Sequence, residues 1–353
     1  MKKHGVKKFL FLLIITLILK IFMPNVIAYA DLENYAEAVV EVQSGRVLYT
    51  NCEDKKLPMA STTKVVTCIA VIENFDLNTV IEITPEYVGI EGSSIYVKVG
   101  ERFTARELLY GLMLRSGNDA AVALAIGLGG SIQSFCGLMQ EVALKAGAKN
   151  SSFKNPHGLD QEGHYTTALD LALISRYAML NETFKKIVST KKITVGSGES
   201  TRVFYNKNKL LSNYSYATGI KTGYTKKSGR CLVSSANKNG FELVCVVLNC
   251  GPMYERSEKL LEDAYSKYIY YPVLTYGECV GTAKTSKGQT LPCYVANNVY
   301  YPLKQSEINS LKRVIKTSKI VKIPTQFNKE CGTIEIYLEK QLLFTEKIYT
   351  ILE

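Results

Sequence analysis

Several features that would mark other classes of protein are missing from this sequence of 353 residues. None of its nine cysteines forms a Cys-x-x-Cys pair, and nine is an odd number, so neither a zinc site nor a complete disulfide framework is indicated. The positive charges form no basic stripe, so a formal charge of +11 does not indicate nucleic-acid binding. No internal repeat or low-complexity tract occurs. We therefore expect a globular protein that uses no metal, no cofactor and no nucleic-acid partner.

The N-terminus differs in character from the rest of the chain. Four lysines precede the apolar run from Phe9 to Leu19, and Ala28-Tyr29-Ala30 fits a small-residue cleavage site. This predicts a secretory signal peptide over residues 1–30 and a mature chain that works outside the cytoplasm. A retained anchor is the alternative, although Lys20 leaves the run shorter than the roughly 20 residues of a typical span. Cleavage removes five lysines and lowers the charge to +6, which is compatible with attraction to an anionic wall or membrane surface.

The order of local patterns predicts an α+β fold. Residues 38–50 form two β-rich runs around a turn, which indicates a hairpin, and residues 104–180 contain capping signatures and helical apolar patterns. From residue 191 onward β-type runs return, and the last of them, at 241–250, is apolar enough to be a central strand. An amphipathic helix is predicted at 254–271. We expect the first hairpin and the late strands to share one antiparallel sheet.

A domain boundary is predicted after Pro272. Short β-prone runs separated by glycine and asparagine follow it, which indicates a small all-β domain over residues 273–353. Residues 31–272 would then form the larger domain, with its sheet and its helical part. The last apolar segment, Leu342 to Tyr349, is typical of a strand and not of an amphipathic membrane-binding helix, so anchoring at the C-terminus is left open.

A hydroxyl and an amine stand one helical turn apart at the predicted start of a helix. Ser61 and Lys64 lie on the same helix face at this spacing, and the run after Lys64 is apolar nearly all round, as in a buried helix. Burial lowers the pKa of a lysine, so Lys64 could be the neutral base that takes a proton from Ser61. The same Ser-x-x-Lys spacing recurs, and a plain helix start with a solvated lysine is the other interpretation. The recurrences are at Ser151/Lys154, Ser189/Lys192 and Ser235/Lys238.

Two further motifs follow in a fixed order and make the set specific. Ser116-Gly117-Asn118 comes at the end of a predicted helix, and Lys221-Thr222-Gly223 lies on a predicted strand. Together with Ser61-x-x-Lys64 they match the motif set of serine β-lactamases and penicillin-binding proteins. Over about residues 35–350 the chain resembles the low-molecular-mass penicillin-binding proteins, specifically the serine-type D-alanyl-D-alanine carboxypeptidases of peptidase family S11. The resemblance implies a catalytic domain of the serine β-lactamase and penicillin-binding-protein kind.

The resemblance also implies a role for each motif residue. Ser61 would attack the carbonyl between two D-alanines and form an acyl-enzyme, Lys64 would accept its proton, and Ser116 would pass that proton to the leaving amine while holding the Lys64 amine. Asn118 would hold the substrate amide and orient Lys64, and the backbone N–H groups of Ser61 and Tyr224 would form the oxyanion hole. Lys221 and Thr222 would bind the terminal carboxylate of the substrate, and Gly223 would also contribute to substrate binding. The expected ligands are peptidoglycan stem peptides and β-lactam antibiotics.

Alternatives remain beside this interpretation. The histidines at 157 and 164 raise the possibility of a triad with Asp160, but a serine already paired with a lysine needs no imidazole. Glu162 lacks the pattern of a deacylating carboxylate, so we do not expect rapid β-lactam hydrolysis. The same catalytic residues would also serve a D,D-endopeptidase that cuts cross-links, or a penicillin-binding sensor that barely turns over.

Overall fold

Sixteen β-strands and eight α-helices make up the part of the chain that the computed structural model describes, residues 35–317 and 329–350. The predicted signal peptide lies outside these residues. The strands are β1 Ala36–Glu41, β2 Val47–Asn51, β3 Val80–Glu82, β4 Arg102–Thr104, β5 Lys192–Val195, β6 Arg202–Tyr205, β7 Ala217–Thr225, β8 Gly229–Lys238, β9 Phe241–Leu248, β10 Ile269–Leu274, β11 Cys279–Lys284, β12 Thr290–Val295, β13 Val299–Leu303, β14 Leu311–Thr317, β15 Glu330–Leu338 and β16 Gln341–Tyr349. The helices are α1 Lys64–Asn74, α2 Ala105–Tyr110, α3 Asn118–Gly129, α4 Ile132–Lys145, α5 Ala168–Met179, α6 Glu182–Ser189, α7 Leu210–Asn213 and α8 Met253–Lys267.

One antiparallel sheet organises the larger part of the chain. Its strand order is β2-β1-β9-β8-β7, so the predicted hairpin and the predicted late strands share one sheet, as expected. All eight residues of β9 are buried, which confirms the prediction of a central strand. Successive side chains of a strand point to opposite faces. Accordingly Val244, Val246 and Leu248 pack in one core cluster, while Leu243, Cys245 and Val247 pack in a second cluster on the other face.

The helices cover both faces of this sheet. Helix α1 and the alanine-rich helix α3 contribute buried residues to the larger cluster, which confirms the prediction of a helix buried on nearly all sides. The capping box predicted at Thr104 and Glu107 begins α2. Helix α8 lies on the opposite face, where its apolar residues join the second cluster.

Two elements differ from the sequence prediction. Helix α8 ends at Lys267, whereas the prediction extended it to Tyr271. Residues 269–274 instead pair with β13 as the antiparallel strand β10, because tertiary pairing overrides a weak local helical pattern. Helix α6 was not predicted at all, although Asn181 caps it with its side-chain oxygen.

The C-terminal part is all β, as predicted. A five-stranded sheet of order β11-β12-β16-β15-β14 and the pair β10–β13 enclose their own small apolar core. The final segment at 342–349 lies in β16, which confirms the prediction of a strand there. The boundary predicted after Pro272 lies within β10. Arg46, in the turn between β1 and β2, forms an ion pair with Glu307 at 2.7 Å and so joins the first hairpin to this part of the chain.

All nine cysteines are free, and Cys68, Cys245 and Cys250 are buried thiols. Within residues 35–317 and 329–350, no cluster of three or more His, Cys, Asp or Glu side chains is placed to hold a metal ion. No single helix in these ranges has the length and apolar character of a membrane span. Helices α3 and α4 together are long and apolar enough, but they meet at an angle of 92°.

Candidate active site

Ser61 lies in a short 3₁₀ turn, Ala60–Thr63, that leads directly into helix α1. The hydroxyl of Thr62 donates to the Met59 carbonyl at 2.6 Å, and the hydroxyl of Thr63 donates to the Ala60 carbonyl at 2.8 Å. Ala60 itself has a positive φ of 47°, a conformation that a residue with a side chain rarely adopts. Strained backbone of this kind is typical of functional sites. The turn holds Ser61 half-buried at the edge of a cavity.

Lys64 is completely buried, and its amine contacts three oxygen atoms. Lys64 Nζ lies 2.7 Å from Asn118 Oδ1, 2.5 Å from the His157 carbonyl oxygen and 3.1 Å from Ser61 Oγ. The first two oxygens can only accept hydrogen bonds, whereas a serine hydroxyl can also donate. A neutral lysine amine has two N–H groups and one lone pair. In that form the two N–H groups can donate to the two acceptors, which leaves the lone pair to accept from the Ser61 hydroxyl 3.1 Å away.

Burial and neighbouring charges favour this neutral form. Desolvation lowers the pKa of Lys64 well below its ordinary value, and the positive charges of Lys221 and Lys207 lower it further, against the opposing effect of Asp119. A lysine with a depressed pKa can act as a base near neutral pH, as the sequence suggested. The arrangement is therefore chemically suited to remove a proton from Ser61.

The pH dependence of acylation should follow from these charges. Activity that needs neutral Lys64 is present above its lowered pKa and is lost as the pH falls through that pKa. We expect Lys207→Gln to move this acid limb to higher pH, because the substitution removes a cation that depresses the pKa of Lys64. The measurement is the rate of penicillin acylation against pH, with Lys209→Gln as a control at an exposed lysine nearby. An unchanged limb in Lys207→Gln would contradict this electrostatic account.

The second motif follows the end of the helix that begins at Ala105. A π-helical turn, Gly111–Arg115, ends at Ser116, which has a left-handed φ of 65°. Asn118 begins α3, accepts from Lys64 through Oδ1 and donates from Nδ2 to the Glu91 carbonyl at 2.5 Å. The expected contact between Asn118 and Lys64 is therefore present. Lys64 makes no hydrogen bond to Ser116 in the described chain, because its amine is already shared among three other oxygens. Ser116 instead lines the same cavity as Ser61.

The third motif lies on β7, the last strand in the order of the five-stranded sheet, where it pairs with β8. Thr222, Gly223 and Tyr224 line the cavity beside Ser61. A Cβ atom at Gly223 would lie 3.0 Å from the Met59 carbonyl oxygen and 3.1 Å from the Thr62 nitrogen. A side chain at position 223 would therefore crowd the Ser61 turn, and glycine allows this turn and the strand to approach closely, a reason that the sequence did not reveal.

Lys221 is placed differently from its two motif partners. Its side chain is 2% exposed, and its amine donates to the Thr222 carbonyl at 2.9 Å. Desolvation, together with the charge of Lys207, lowers the pKa of Lys221 to about 7. Successive strand residues face opposite sides, so Lys221 lies beneath the cavity on the side of Lys64, while Thr222 faces the cavity.

His157 and His164 do not form a triad with Ser61 in the described structure. His164 is bonded to the Thr63 hydroxyl at 2.9 Å through Nε2 and accepts from the Lys154 nitrogen through Nδ1. Burial lowers the pKa of His157 to about 3, and its Nδ1 accepts from the Leu159 nitrogen. What His157 provides at the site is its backbone carbonyl, which accepts from Lys64.

The loop that carries this carbonyl is fixed against the Ser61 turn. Gly158 has a positive φ of 90°, and a Cβ atom there would lie 1.9 Å from the Ala60 carbonyl oxygen, so only glycine fits. Asn155 Oδ1 accepts from the Gly158 nitrogen at 2.7 Å. Asp160, the third member of the alternative triad, accepts instead from the Thr225 hydroxyl at 3.1 Å. These contacts hold the loop beside the Ser61 turn, with the His157 carbonyl at the Lys64 amine.

A cavity of about 400 Å³ joins the three motifs. Half of the residues that line it were expected from the sequence: Ser61, Ser116, Thr222, Gly223 and Tyr224. The other half were not. The missed residues are Ser93, Lys207, Arg230, Met253 and Tyr254. The short hairpin after Tyr224 could have indicated Arg230, which pairs with Tyr224 across β7 and β8. The other four come from distant segments, and no local pattern marks them.

This fold and cavity define a serine hydrolase of the penicillin-binding-protein type. The model of the D-alanyl-D-alanine carboxypeptidase family, peptidase S11, matches residues 25–251, and the model of the C-terminal domain of penicillin-binding protein 5 matches residues 268–352. The chain belongs to the S11 family of D-alanyl-D-alanine carboxypeptidases. Members of this family react through a serine acyl-enzyme, are inhibited by penicillins and act on peptidoglycan outside the cytoplasm.

Individual relatives agree with this assignment over nearly the whole chain. The D-alanyl-D-alanine carboxypeptidase DacF of Bacillus subtilis is 30% identical over 96% of this chain and 92% of its own length. The crystal structure of the carboxypeptidase DacD from Francisella tularensis is 26% identical, with a TM-score of 0.67 over 94% of this chain and 97% of that one. The fold is also that of penicillin-binding protein 5 from Haemophilus influenzae, with a TM-score of 0.71 at 23% identity over 90% of this chain and 96% of that one.

Proposed function

We propose that the chain removes the terminal D-alanine from peptidoglycan stem peptides, with Ser61 as the nucleophile and Lys64 as its base. The observation that carries these roles is the position of the Lys64 amine, 3.1 Å from Ser61 Oγ and bonded to two acceptor-only oxygens. Complete burial and a depressed pKa support the neutral, basic form of Lys64. The family membership of the chain supports the substrate.

In this proposal the Ser61 oxygen adds to the carbonyl between the two D-alanines as its proton moves to Lys64. The backbone N–H groups of Ser61 and Tyr224 stabilise the negative oxygen that develops. Each donor of this kind typically raises kcat by ~10²-fold to 10³-fold. Ser116, which lines the cavity beside Ser61, relays the proton to the leaving amine. D-Alanine departs, and water then hydrolyses the acyl-enzyme by the reverse proton path.

The remaining motif residues bind the substrate in this proposal. The Asn118 side chain holds the substrate amide with its second N–H, since the first donates to the Glu91 carbonyl. The Thr222 hydroxyl contacts the terminal carboxylate, and Gly223 leaves room for the substrate backbone along β7. Lys221 adds positive charge from beneath the cavity.

The terminal charge of the substrate distinguishes a carboxypeptidase from an endopeptidase. We expect a diacetylated tripeptide ending in D-alanyl-D-alanine to be cleaved at least about tenfold faster than its C-terminal amide, because the amide loses a charge-assisted contact. The measurement is kcat/KM on the acid, the amide and a cross-linked dimer. Equal rates on acid and amide, or preference for the dimer, would indicate an endopeptidase. Covalent penicillin labelling without steady-state release of D-alanine would indicate the sensor.

We further propose that residues 1–30 are a signal peptide and that the mature chain, from about Asp31, acts outside the cytoplasm. The action of the family on peptidoglycan supports this location. The positive charge of the mature chain is compatible with association at an anionic membrane surface. N-terminal sequencing of the protein from cell fractions checks the cleavage, and a membrane-bound product that retains Met1 would contradict it.

A further inference from the structure

A second cavity, of about 470 Å³, lies between the first hairpin and the C-terminal β part of the chain. Its lining comes from the turn after β1, from β10 and β16, and from the segment at the start of β13. Ligand cavities of about 300–1,000 Å³ occur preferentially where two domains meet. Within the described chain, this cavity shares no lining residue with the one around Ser61. It is therefore a separate candidate binding site.

Aromatic rings make up a large part of the lining of this second cavity. Four of its ten lining residues are aromatic, namely Tyr270, Tyr300, Tyr301 and Phe344. The ring of Tyr270 stacks on the buried ring of Phe241 at 4.9 Å and 2°, and the ring of Tyr300 stacks on Tyr270 at 5.1 Å and 22°. Tyr300 is 41% exposed. The core thus supports a stack of rings that ends in a flat, partly exposed ring at the cavity.

The cavity also offers a hydrogen-bond donor and an acceptor beside these rings. Asn298 Oδ1 accepts from the Tyr276 nitrogen at 2.8 Å, which orients the amide and leaves its Nδ2 as a donor. The carboxylate of Glu346 forms no ion pair and no hydrogen bond within residues 35–317 and 329–350, and burial raises its pKa. No lysine or arginine is among the lining residues in the described chain. These features fit a neutral ligand that has hydroxyl groups and an apolar face.

We propose that this cavity binds the glycan part of peptidoglycan, a strand of N-acetylated amino sugars. The inference rests on the proposed function and deepens it, because the stem peptides that the enzyme would trim are attached to this strand. A sugar ring can lay its C–H face on the Tyr300 ring, whose π face is negative. Its hydroxyl groups can donate to Glu346 and accept from Asn298. The side chains of Val299 and Leu343 offer apolar contact to the acetamido methyl group.

Two other kinds of ligand fit the cavity less well. An anionic lipid headgroup would find no cation in the lining and would be repelled by Glu346. An ammonium ion is held best by rings that surround it, whereas the rings of Tyr270 and Tyr300 are nearly parallel. The ring of Tyr301 already contacts a cation, since the Arg46 guanidinium lies 5.4 Å from its centre. Stacking of a neutral sugar agrees better with this arrangement.

The test is a calorimetric titration of the mature chain with the trisaccharide of N-acetylglucosamine, which carries no peptide. We expect wild type to bind it and Tyr300→Ala to bind it about 10-fold or more weakly, the effect of losing one buried aromatic contact. Glu346→Gln should weaken binding by about 10-fold, because a hydrogen bond to a charged group is lost. Tyr300→Phe should bind nearly as wild type does, since it keeps the ring. Tyr205→Ala is the matched control, at an exposed tyrosine on β6 outside the cavity.

A second measurement separates glycan binding from the reaction. Tyr300→Ala should release D-alanine more slowly from polymeric peptidoglycan but at the wild-type rate from the diacetylated tripeptide, which has no sugar. The proposal is overturned if wild type does not bind the trisaccharide, if both Tyr300→Ala and Glu346→Gln bind it as wild type does, or if Tyr300→Ala is equally slow on the tripeptide. It is also overturned if tetramethylammonium or phosphatidylglycerol vesicles bind in place of the trisaccharide. A wild-type chain that binds the trisaccharide but releases no D-alanine would overturn the carboxypeptidase function and leave the sugar site standing.

Discussion

Replacement of Ser61 by alanine is expected to abolish covalent labelling by a fluorescent penicillin and to lower D-alanine release by at least about 10⁴-fold. A β-lactam presents a strained amide to the nucleophile that attacks the D-alanyl-D-alanine bond, and the variant has no side-chain oxygen there. The fold should survive, because Thr62 and Thr63 hold the turn through their own hydroxyls. The measurements are gel fluorescence after labelling and steady-state release of D-alanine.

A second Ser-x-x-Lys pair supplies a matched control for this variant. Ser189 stands at the same spacing from Lys192, is exposed at the end of α6 and donates to the Lys185 carbonyl at 2.7 Å. Ser189→Ala should label and turn over like wild type. Label that persists in Ser61→Ala and maps to another serine would show that the nucleophile has been assigned to the wrong residue.

Lys64→Arg is expected to lower the rate of acylation by about 10²-fold to 10⁴-fold, which is the usual contribution of a general base. Arginine carries a positive charge and cannot be deprotonated in a protein, so it offers no lone pair to the Ser61 hydroxyl. The observed contacts make the effect specific, because Asn118 and the His157 carbonyl accept both N–H groups of a neutral lysine at this position. The measurement is the second-order rate constant for penicillin acylation, with circular dichroism to confirm the fold.

The control for this variant is Lys154→Arg, an exposed lysine in another Ser-x-x-Lys pair. It should acylate at the wild-type rate. Near-normal acylation by Lys64→Arg would remove Lys64 as the base and direct attention to His157. The low pKa of His157, about 3, and the use of its Nδ1 by the Leu159 nitrogen argue against that outcome.

Much of the fold could be predicted because its signals are local. Thr104 and Glu107 form a capping box within one turn, and the continuous apolar run that forms β9 consists of neighbouring residues. The errors arose where long-range pairing prevailed over local pattern. Residues 269–271 continue a helical pattern, yet they form a strand because β13 offers them backbone partners.

The candidate site was predictable in its motif residues and not in its surroundings. Ser61, Lys64 and Asn118 were expected to meet, and their side chains do so. The expected contact between Ser116 and Lys64 is replaced by one with the His157 carbonyl, a backbone atom that carries no sequence signature. Sequence reasoning also gave Lys221 the contact with the substrate carboxylate, but it could not show that this lysine is buried on the opposite face.

The sequence by itself determined which chemical groups are present, their order, and the short elements that carry them, because residue type and periodicity act over a few residues. Only the tertiary structure decided how those groups behave. Burial depresses the pKa of Lys64, and a loop about 90 residues away in sequence supplies the acceptor that orients its amine. The register of β7 and β8 brings Arg230 beside Thr222 in the cavity. Desolvation and strand register arise from contacts between distant segments, and therefore no local pattern in the chain encodes them.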